Sequence, residues 1–354
     1  SELVINTIPS DQVLSMTKEF TPPKFFFDAT YWPWPPELSK LQLDARGSAC
    51  RGSHYYNRRF RCSSVIYIQL AGRLGNQLFQ YAFAYSRAKE LGVQLKIDLS
   101  FYDDYEWHDY SLAPFNLSAL AANSDEIAEI KKLDNGVLYK VKQRLLKGIK
   151  HQLVEENLLF NKKYLKIHQN SYIIGYWQSE KYFCNHWSDL MNEFRINISP
   201  SSNNLELLKE VQYEQSSISL HIRRGNYANI ESVNLVHGTM PISYYEDAIN
   251  FFEGEIVNPK FYVFSDDISW AKDNLKLKHP SVFVDHNDDK CDYEDLRLMA
   301  NCKHHIIANS TFSWWGAYLN SNSTKIVIGP KQWFSDVDKN KEAVDIIPKN
   351  WVKL

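Results

Sequence analysis

No run of eighteen apolar residues occurs anywhere in the 354-residue chain, which excludes a hydrophobic membrane-spanning helix. The N-terminus shows no basic, apolar and small-residue succession of a secretory leader. Cysteine is scarce, with five residues in an odd-numbered, widely spaced set. That excludes a disulfide framework and any thiolate metal spacing. Cys50 and Cys62 are able to pair in an oxidising compartment, with free thiols the equal alternative. Charge of one sign is lacking too: 40 basic residues face 42 acidic ones, for a formal charge of −2. No overall field therefore attracts nucleic acid or an anionic membrane, and a basic site has to be local. The P-loop and dinucleotide glycine spacings are both missing, which removes the usual warrants for ATP hydrolysis and NAD binding. Internal repeats and low-complexity tracts are absent as well.

What is present is a foldable chain, since 44% hydrophobic and 14% aromatic residues suffice for packed cores. Its length calls for two domains sharing one cleft. Residues 1–63 read as an irregular extension, with Pro22, Pro23, Pro33, Pro35 and Pro36 among Phe25, Phe26, Phe27, Trp32 and Trp34. It either wraps the core through those rings or forms a stem. From Val65 the pattern turns regular. An apolar strand over 65–70, a glycine-bearing turn, a helix over 78–91 and a strand over 93–99 make a βαβ unit and require a parallel sheet. A helix is expected over 124–151 and a strand over 171–176. After Pro200, strands are expected at 218–222, 261–264, 282–284, 305–308 and 325–328, with helices near 205–212, 244–252, 270–277, 293–301 and 314–319. This double alternation predicts an α/β chain of two Rossmann-like domains, 64–200 and 201–354, facing each other across a cleft.

The residues able to do chemistry stand where strands end. His221-Ile222-Arg223-Arg224-Gly225-Asn226-Tyr227 follows the alternation of Ile218, Leu220 and Ile222, at the carboxyl edge where parallel sheets bind ligands. A guanidinium matches phosphate, and Gly225 lets the backbone come close. The rival reading is a solvated basic turn. Ala308-Asn309-Ser310-Thr311-Phe312-Ser313-Trp314-Trp315-Gly316 ends another strand and opens a helix whose N–H groups and positive dipole end attract an anion. Its rival is ordinary N-capping by Ser310 or Ser313. In Phe264-Ser265-Asp266-Asp267 a carboxylate is placed to accept the N1–H and exocyclic N–H of guanine, to cap the next helix, or to hold a metal. Gly72-Arg73-Leu74-Gly75-Asn76-Gln77 is a glycine-permitted turn facing the cleft.

Taken in order, Gly72-Arg73-Leu74-Gly75-Asn76-Gln77-Leu78-Phe79-Gln80-Tyr81-Ala82, Gly175-Tyr176-Trp177-Gln178-Ser179, His221-Ile222-Arg223-Arg224-Gly225, His237-Gly238, Ser265-Asp266-Asp267 and the run from Asn309 to Ala317 resemble the α-1,2-fucosyltransferase family. The resemblance covers roughly residues 65–334 and is of the glycosyltransferase family 11 type. It implies a GT-B fold and GDP-fucose as donor, held mainly by the C-terminal domain. It also implies inverting, metal-free transfer to the 2-hydroxyl of a galactose-terminated glycan. The donor contacts are then Gly72, Gly75, Asn76, His221, Arg223, Arg224, Asp266, Asp267, Ser310, Thr311, Phe312 and Ser313. Arg223 is the candidate to neutralise the departing β-phosphate. His237 is the candidate base, with His221 or Asp98 behind it. Where the family usually has Asp after Arg-Arg-Gly, this chain has Asn226, an amide that takes no proton. The alternatives are another GDP-sugar transferase, including one acting on protein, and a silent sugar-nucleotide or glycan binder. The expected compartment is the cytoplasm; a Golgi-type stem with an upstream anchor is the alternative.

Overall fold

The computed structural model describes residues 64–103, 109–133 and 151–354. The extension at 1–63, with Cys50 and Cys62, lies outside the described residues, as does 134–150 of the expected long helix.

Val65, Ile66 and Ile68 are buried in Val65–Gln69 (β1), which pairs in parallel on both sides, as an inner strand of a covered sheet requires. With Gln94–Asp98 (β2), Leu120–Ala121 (β3), Gln152–Val154 (β4) and Tyr172–Ile174 (β5) it forms a five-stranded sheet, β3-β2-β1-β5-β4. Ser217–Ile222 (β6), Lys260–Ser265 (β7), Ser281–Phe283 (β8), His304–Ile306 (β9), Val327–Gly329 (β10) and Val352–Lys353 (β11) form a six-stranded sheet, β11-β10-β9-β6-β7-β8. Every pairing in it is parallel. Counted from its own first strand, the second sheet has the Rossmann order 3-2-1-4-5-6. Chain order reverses at β1/β5 in the first sheet and at β6/β9 in the second. Beyond the carboxyl ends of such strands lies the crevice where α/β sheets take ligands.

The helices are Leu74–Leu91 (α1), Ser124–Leu133 (α2), Trp187–Glu193 (α3), Ser202–Tyr213 (α4), Gly225–Asn229 (α5), Glu231–His237 (α6), Ile242–Glu255 (α7), Ile268–Asn274 (α8), Asp292–Asn301 (α9), Thr311–Tyr318 (α10) and Val337–Glu342 (α11). Several start earlier than their apolar spacing predicts, and at α1 and α10 the reason bears on the site. Helix α1 takes in Gly75 and Asn76, poor helix formers that tertiary contacts hold, and ends at Gly92, whose φ of 64° is the left-handed cap glycine favours. Helix α10 begins at Thr311 because Ser310 caps it.

Both sheets lie within one compact unit. The reason is a cluster of rings between α1 and α10. Phe79 sits 4.4 Å from Trp314 and 5.0 Å from Trp315, and Phe183 stacks on Trp315 at 5.5 Å. All four are fully or almost fully buried, each contributing about 1.5–3 kcal/mol by transfer from water. The architecture is the α/β, GT-B arrangement expected. Among the described residues, no helix is long and apolar enough to cross a membrane.

Candidate active site

The turns that follow the switch-point strands β1, β5, β6 and β9 line one cleft of about 570 Å³. Arg223 stands one residue beyond β6. Its Nη1 lies 2.7 Å from Asp266 Oδ2, while Asp266 Oδ1 accepts the Arg224 backbone N–H at 2.8 Å. Asp266 follows β7 directly, so one carboxylate ties together the ends of two neighbouring strands and fixes the guanidinium. A Cβ on Gly225 would fall 2.2 Å from Asp266 Oδ2, which is why the turn needs glycine. The Tyr227 ring lies 5.2 Å from Arg223 Cζ, a cation–π contact that restrains it further.

Facing this arginine are two helix N-termini. A Cβ on Gly75, in the first turn of α1, would meet Phe312 N and Thr311 C at 2.5 Å, so the ends of α1 and α10 touch through bare backbone. Asn76 Oδ1 accepts hydrogen bonds from Thr311 Oγ1 and Gln178 Nε2, both at 3.0 Å, and joins the two sheets at the cleft. Arg73 precedes α1 and makes no side-chain cap there, and it lines the cleft. Two positive helix ends and two guanidinium groups thus converge on one space, an arrangement suited to a diphosphate.

Of the residues named from sequence, Gly72, Gly75, Asn76, His221, Arg223, Asp266, Ser310, Thr311, Phe312 and the candidate base His237 line this space. Three other expected contacts are engaged elsewhere. Arg224 lies 3.8 Å from the centre of the Trp270 ring, a stacked packing role. Asp267 caps α8, its Oδ1 accepting the Trp270 N–H at 3.1 Å. Ser313 Oγ donates to the Ser310 carbonyl at 3.2 Å and is buried in its own helix. Asp266 lines the cleft with each carboxylate oxygen already bonded, Oδ2 to Arg223 and Oδ1 to the Arg224 N–H. His237 is held flat against Tyr227 at 4.7 Å with Phe334 on another side. Burial, then Lys339 and Arg223, lower it to about 4, which leaves it neutral and a poor proton sink. Asp98 is committed to Tyr172, Ser100 and Lys131; burial alone would raise it, but those hydrogen bonds outweigh it and hold it low. Asn226 belongs to α5, and its side chain lies outside what is described.

Residues 57–354 match Glycosyl transferase family 11. This chain belongs to that family. It is 33% identical over 303 residues to an α-1,2-colitosyltransferase of Escherichia coli, covering 82% of this chain and 99% of that one. It is 33% identical to the O-antigen biosynthesis glycosyltransferase WbnK of Escherichia coli, over 82% and 100% of the two chains. It is 23% identical to the galactoside 2-α-L-fucosyltransferase SEC1 of Bos taurus, over 76% and 68%. Among solved structures, fucosyltransferase NodZ from Bradyrhizobium aligns at 12% identity with a TM-score of 0.40, over 72% of this chain and 92% of that one.

Several residues of the family 11 cleft escaped sequence reasoning. Asp292 and Asp295 open α9 and line the cleft with Arg73. Burial, reinforced by Asp295, pushes Asp292 up to about 7 against the pull of the Tyr293 backbone and Arg73. Burial likewise takes Asp295 to about 7 although Asn287 donates to it at 2.7 Å. Acids are ordinary in a first helical turn, so nothing in the sequence marked them. His221 is buried at the cleft wall, its Nδ1 has no protein partner, and burial followed by Arg223 lowers it to about 3. It is therefore a neutral hydrogen-bonding group, not a base.

Proposed function

We propose that this family 11 glycosyltransferase moves fucose from GDP-fucose to the 2-hydroxyl of a galactose-terminated glycan, with inversion and without a metal ion. One observation carries the reading: Arg223, fixed by Asp266 at the β6/β9 switch point, beside the start of α10. Breaking the bond from fucose C1 to phosphate oxygen moves negative charge onto the β-phosphate. A guanidinium already fixed in place and the positive end of the α10 dipole stabilise that charge without reorganising. In this reading residues 201–354 hold the donor and residues 64–200 present the acceptor side. Thr311 is a poor donor to phosphate because its hydroxyl proton goes to Asn76; the positive end of α10 and Arg223 do that work. The cationic character of the departing sugar lets the acceptor hydroxyl lose its proton late, so the reading requires no strong base.

Support for fucose comes from the family and from the galactoside 2-α-L-fucosyltransferase among its relatives. The similarity to an α-1,2-colitosyltransferase favours a second reading, in which colitose replaces fucose on the same scaffold. The test is GDP release from GDP-fucose with lactose as acceptor in excess EDTA, with product linkage read by NMR. An α-1,2-linked product is expected. Failure to release GDP, another linkage, or loss of activity restored by Mn²⁺ would overturn the proposal, and preference for a colitose donor would favour the second reading.

A further inference from the structure

Besides Arg223 and the helix ends, the cleft is lined by residues of different chemistry from the segments that follow β2 and β5: Phe101, Asp109, Ser111 and Tyr176. Tyr176 is 41% exposed, whereas its neighbour Trp177 is fully buried and stacked on Phe83 at 4.1 Å. The backbone enforces this split. Trp177 has φ of 57° and Gly175 of 151°, and a bulky residue in the left-handed region is a genuine outlier. The half-buried Glu155 carboxylate accepts the N–H of Tyr176 at 2.6 Å and that of Trp177 at 3.1 Å. A Cβ on Gly175 would come within 2.4 Å of Glu155 Cβ, so the turn is closed to other residues. Backbone strain persists where surroundings over-determine it, and it gathers at binding sites. Here it projects a ring into a cleft.

The neighbouring part of the wall is equally fixed. The buried amide of Gln77 donates to the carbonyl oxygens of Gly72 and Asp109 at 2.9 Å, and its Oε1 accepts the Ser111 N–H at 2.9 Å. One side chain thereby sets both the turn beside the anion-binding space and the segment bearing Asp109 and Ser111. An aromatic face beside a carboxylate and a hydroxyl is the chemistry that takes a sugar, whose C–H face is apolar and whose rim is all hydroxyl donors and acceptors.

We propose that this wall is the acceptor subsite, where a pyranoside lays one C–H face on Tyr176 and is oriented through its hydroxyls by Asp109 and Ser111. A galactoside fits because its axial 4-hydroxyl leaves the C–H groups at C3, C4 and C5 together on the opposite face, an apolar patch that matches a ring. The inference rests on the transferase reading for the partner of this sugar, but the binding itself is measurable without turnover.

The experiment compares the full chain with its Tyr176→Ala and Tyr176→Phe variants. In Tyr176→Ala the KM for lactose is expected to rise roughly tenfold, the scale of a lost aromatic contact, with GDP affinity as in the native chain. Tyr176→Phe, which keeps the ring, restores most of the lactose affinity. Saturation-transfer NMR of methyl β-galactoside on the GDP-loaded protein is the turnover-free arm. Saturation centred on H3, H4 and H5 and lost in Tyr176→Ala supports the subsite even if no fucose is transferred, so failure of the transferase reading shows separately. Unchanged saturation and KM in Tyr176→Ala, no galactoside signal in the native chain, or a matching loss of GDP affinity overturns it.

Discussion

Replacing Gly75 by alanine tests whether the contact between two helix ends sets the geometry of the cleft. The added methyl would lie 2.5 Å from Phe312 N and Thr311 C and 2.6 Å from Thr311 Oγ1. Ordinary contact begins near 3.4 Å, so α1 and α10 must part by about 0.9 Å. The obstacle is backbone, which cannot swing aside as a flexible side chain would. Alanine gains up to about 1 kcal/mol over glycine in a helix, whereas overpacking costs about 1–3 kcal/mol, so the net effect is destabilising. A shift of that size would also stretch the 3.0 Å hydrogen bond between Thr311 and Asn76 beyond useful length. Misplacing reacting groups by ~1 Å costs up to ~100-fold in rate. We expect a melting midpoint lower by a few degrees, on the order of 2–4 °C per kcal/mol. We also expect kcat/KM for GDP-fucose to fall by about 10–100-fold. Gly254→Ala, where nothing lies within 4 Å of the new methyl, is the control and stays native in both measurements. Native kcat/KM in Gly75→Ala would refute the claim that this contact positions the site.

Arg223→Ala is expected to lower kcat by at least about 100-fold, the loss that follows removal of one oxyanion donor. Arg223→Lys recovers little of it, because an ammonium cannot bridge Asp266 and phosphate in the planar fork of a guanidinium; steady-state turnover within tenfold of native in either variant contradicts the assignment. His237→Gln keeps kcat within about tenfold, since loss of a true general base costs ~10²–10⁴-fold, and a larger drop together with disappearance of a pH-dependent limb would restore the histidine as base. Burial raises Glu155, Asp292 and Asp295 to about 7, above unfolded values near 4. The stability they carry is therefore complete below about pH 4 and is lost as pH rises through 7. His221 and His237, shifted down, act in the opposite sense only below about pH 6.5. Between about pH 6.5 and 8 the fall from these carboxyls runs against a rise from Lys325, which burial lowers to about 8, so the comparison is made against the native chain. In urea unfolding Asp292→Asn should flatten the carboxyl part of the slope, and an identical slope in the variant counts against Asp292.

The strands and their edges were legible because burial on both faces writes a strong signal. Ile218, Leu220 and Ile222 mark β6, and whatever follows such a strand stands at the ligand edge. The short strands β3, β4 and β11 escaped, since two or three residues show no period. The end of β6 placed Arg223 and Arg224 at the ligand edge, but it could not reveal that Arg224 stacks on Trp270, a residue brought near only by the β6/β7 pairing. The same pairing decides the two aspartates. Asp267 stands three residues before Trp270, a capping distance readable in sequence, whereas the bond from Asp266 to Arg223 depends on adjacent strand ends. His237 was singled out for its chemistry, yet its behaviour follows from rings distant in the chain, Tyr227 and Phe334. Gly75 and Asn76 stood in a visible motif, and only the approach of α10 shows why both residue types are required.

The Asp266 carboxylate poses the sharpest question about this site, because it sits 2.7 Å from the guanidinium assigned to phosphate and so offsets part of its charge. Two unit charges about 4 Å apart interact by ~4 kcal/mol at an effective dielectric constant of ~20, so the offset is appreciable. If charge alone governed the reaction, Asp266→Asn would be an improvement. The geometry argues otherwise. The carboxylate also accepts the Arg224 N–H at 2.8 Å and fills the space over Gly225, so it fixes both the turn and the direction of the arginine fork. Asparagine keeps one acceptor for Arg224 but turns an amide N–H₂ toward Nη1, donor against donor, and the fork loses its anchor. GDP affinity should then hold or tighten, since a net negative charge has left the cleft, while kcat falls by roughly tenfold or more because the cation is no longer pre-aimed at the departing oxygen. Calorimetry of GDP binding beside steady-state kinetics separates the two quantities. Weaker GDP binding with unchanged kcat would show that Asp266 serves the ground state, and that the orientation of Arg223 is not what the strand pairing secures.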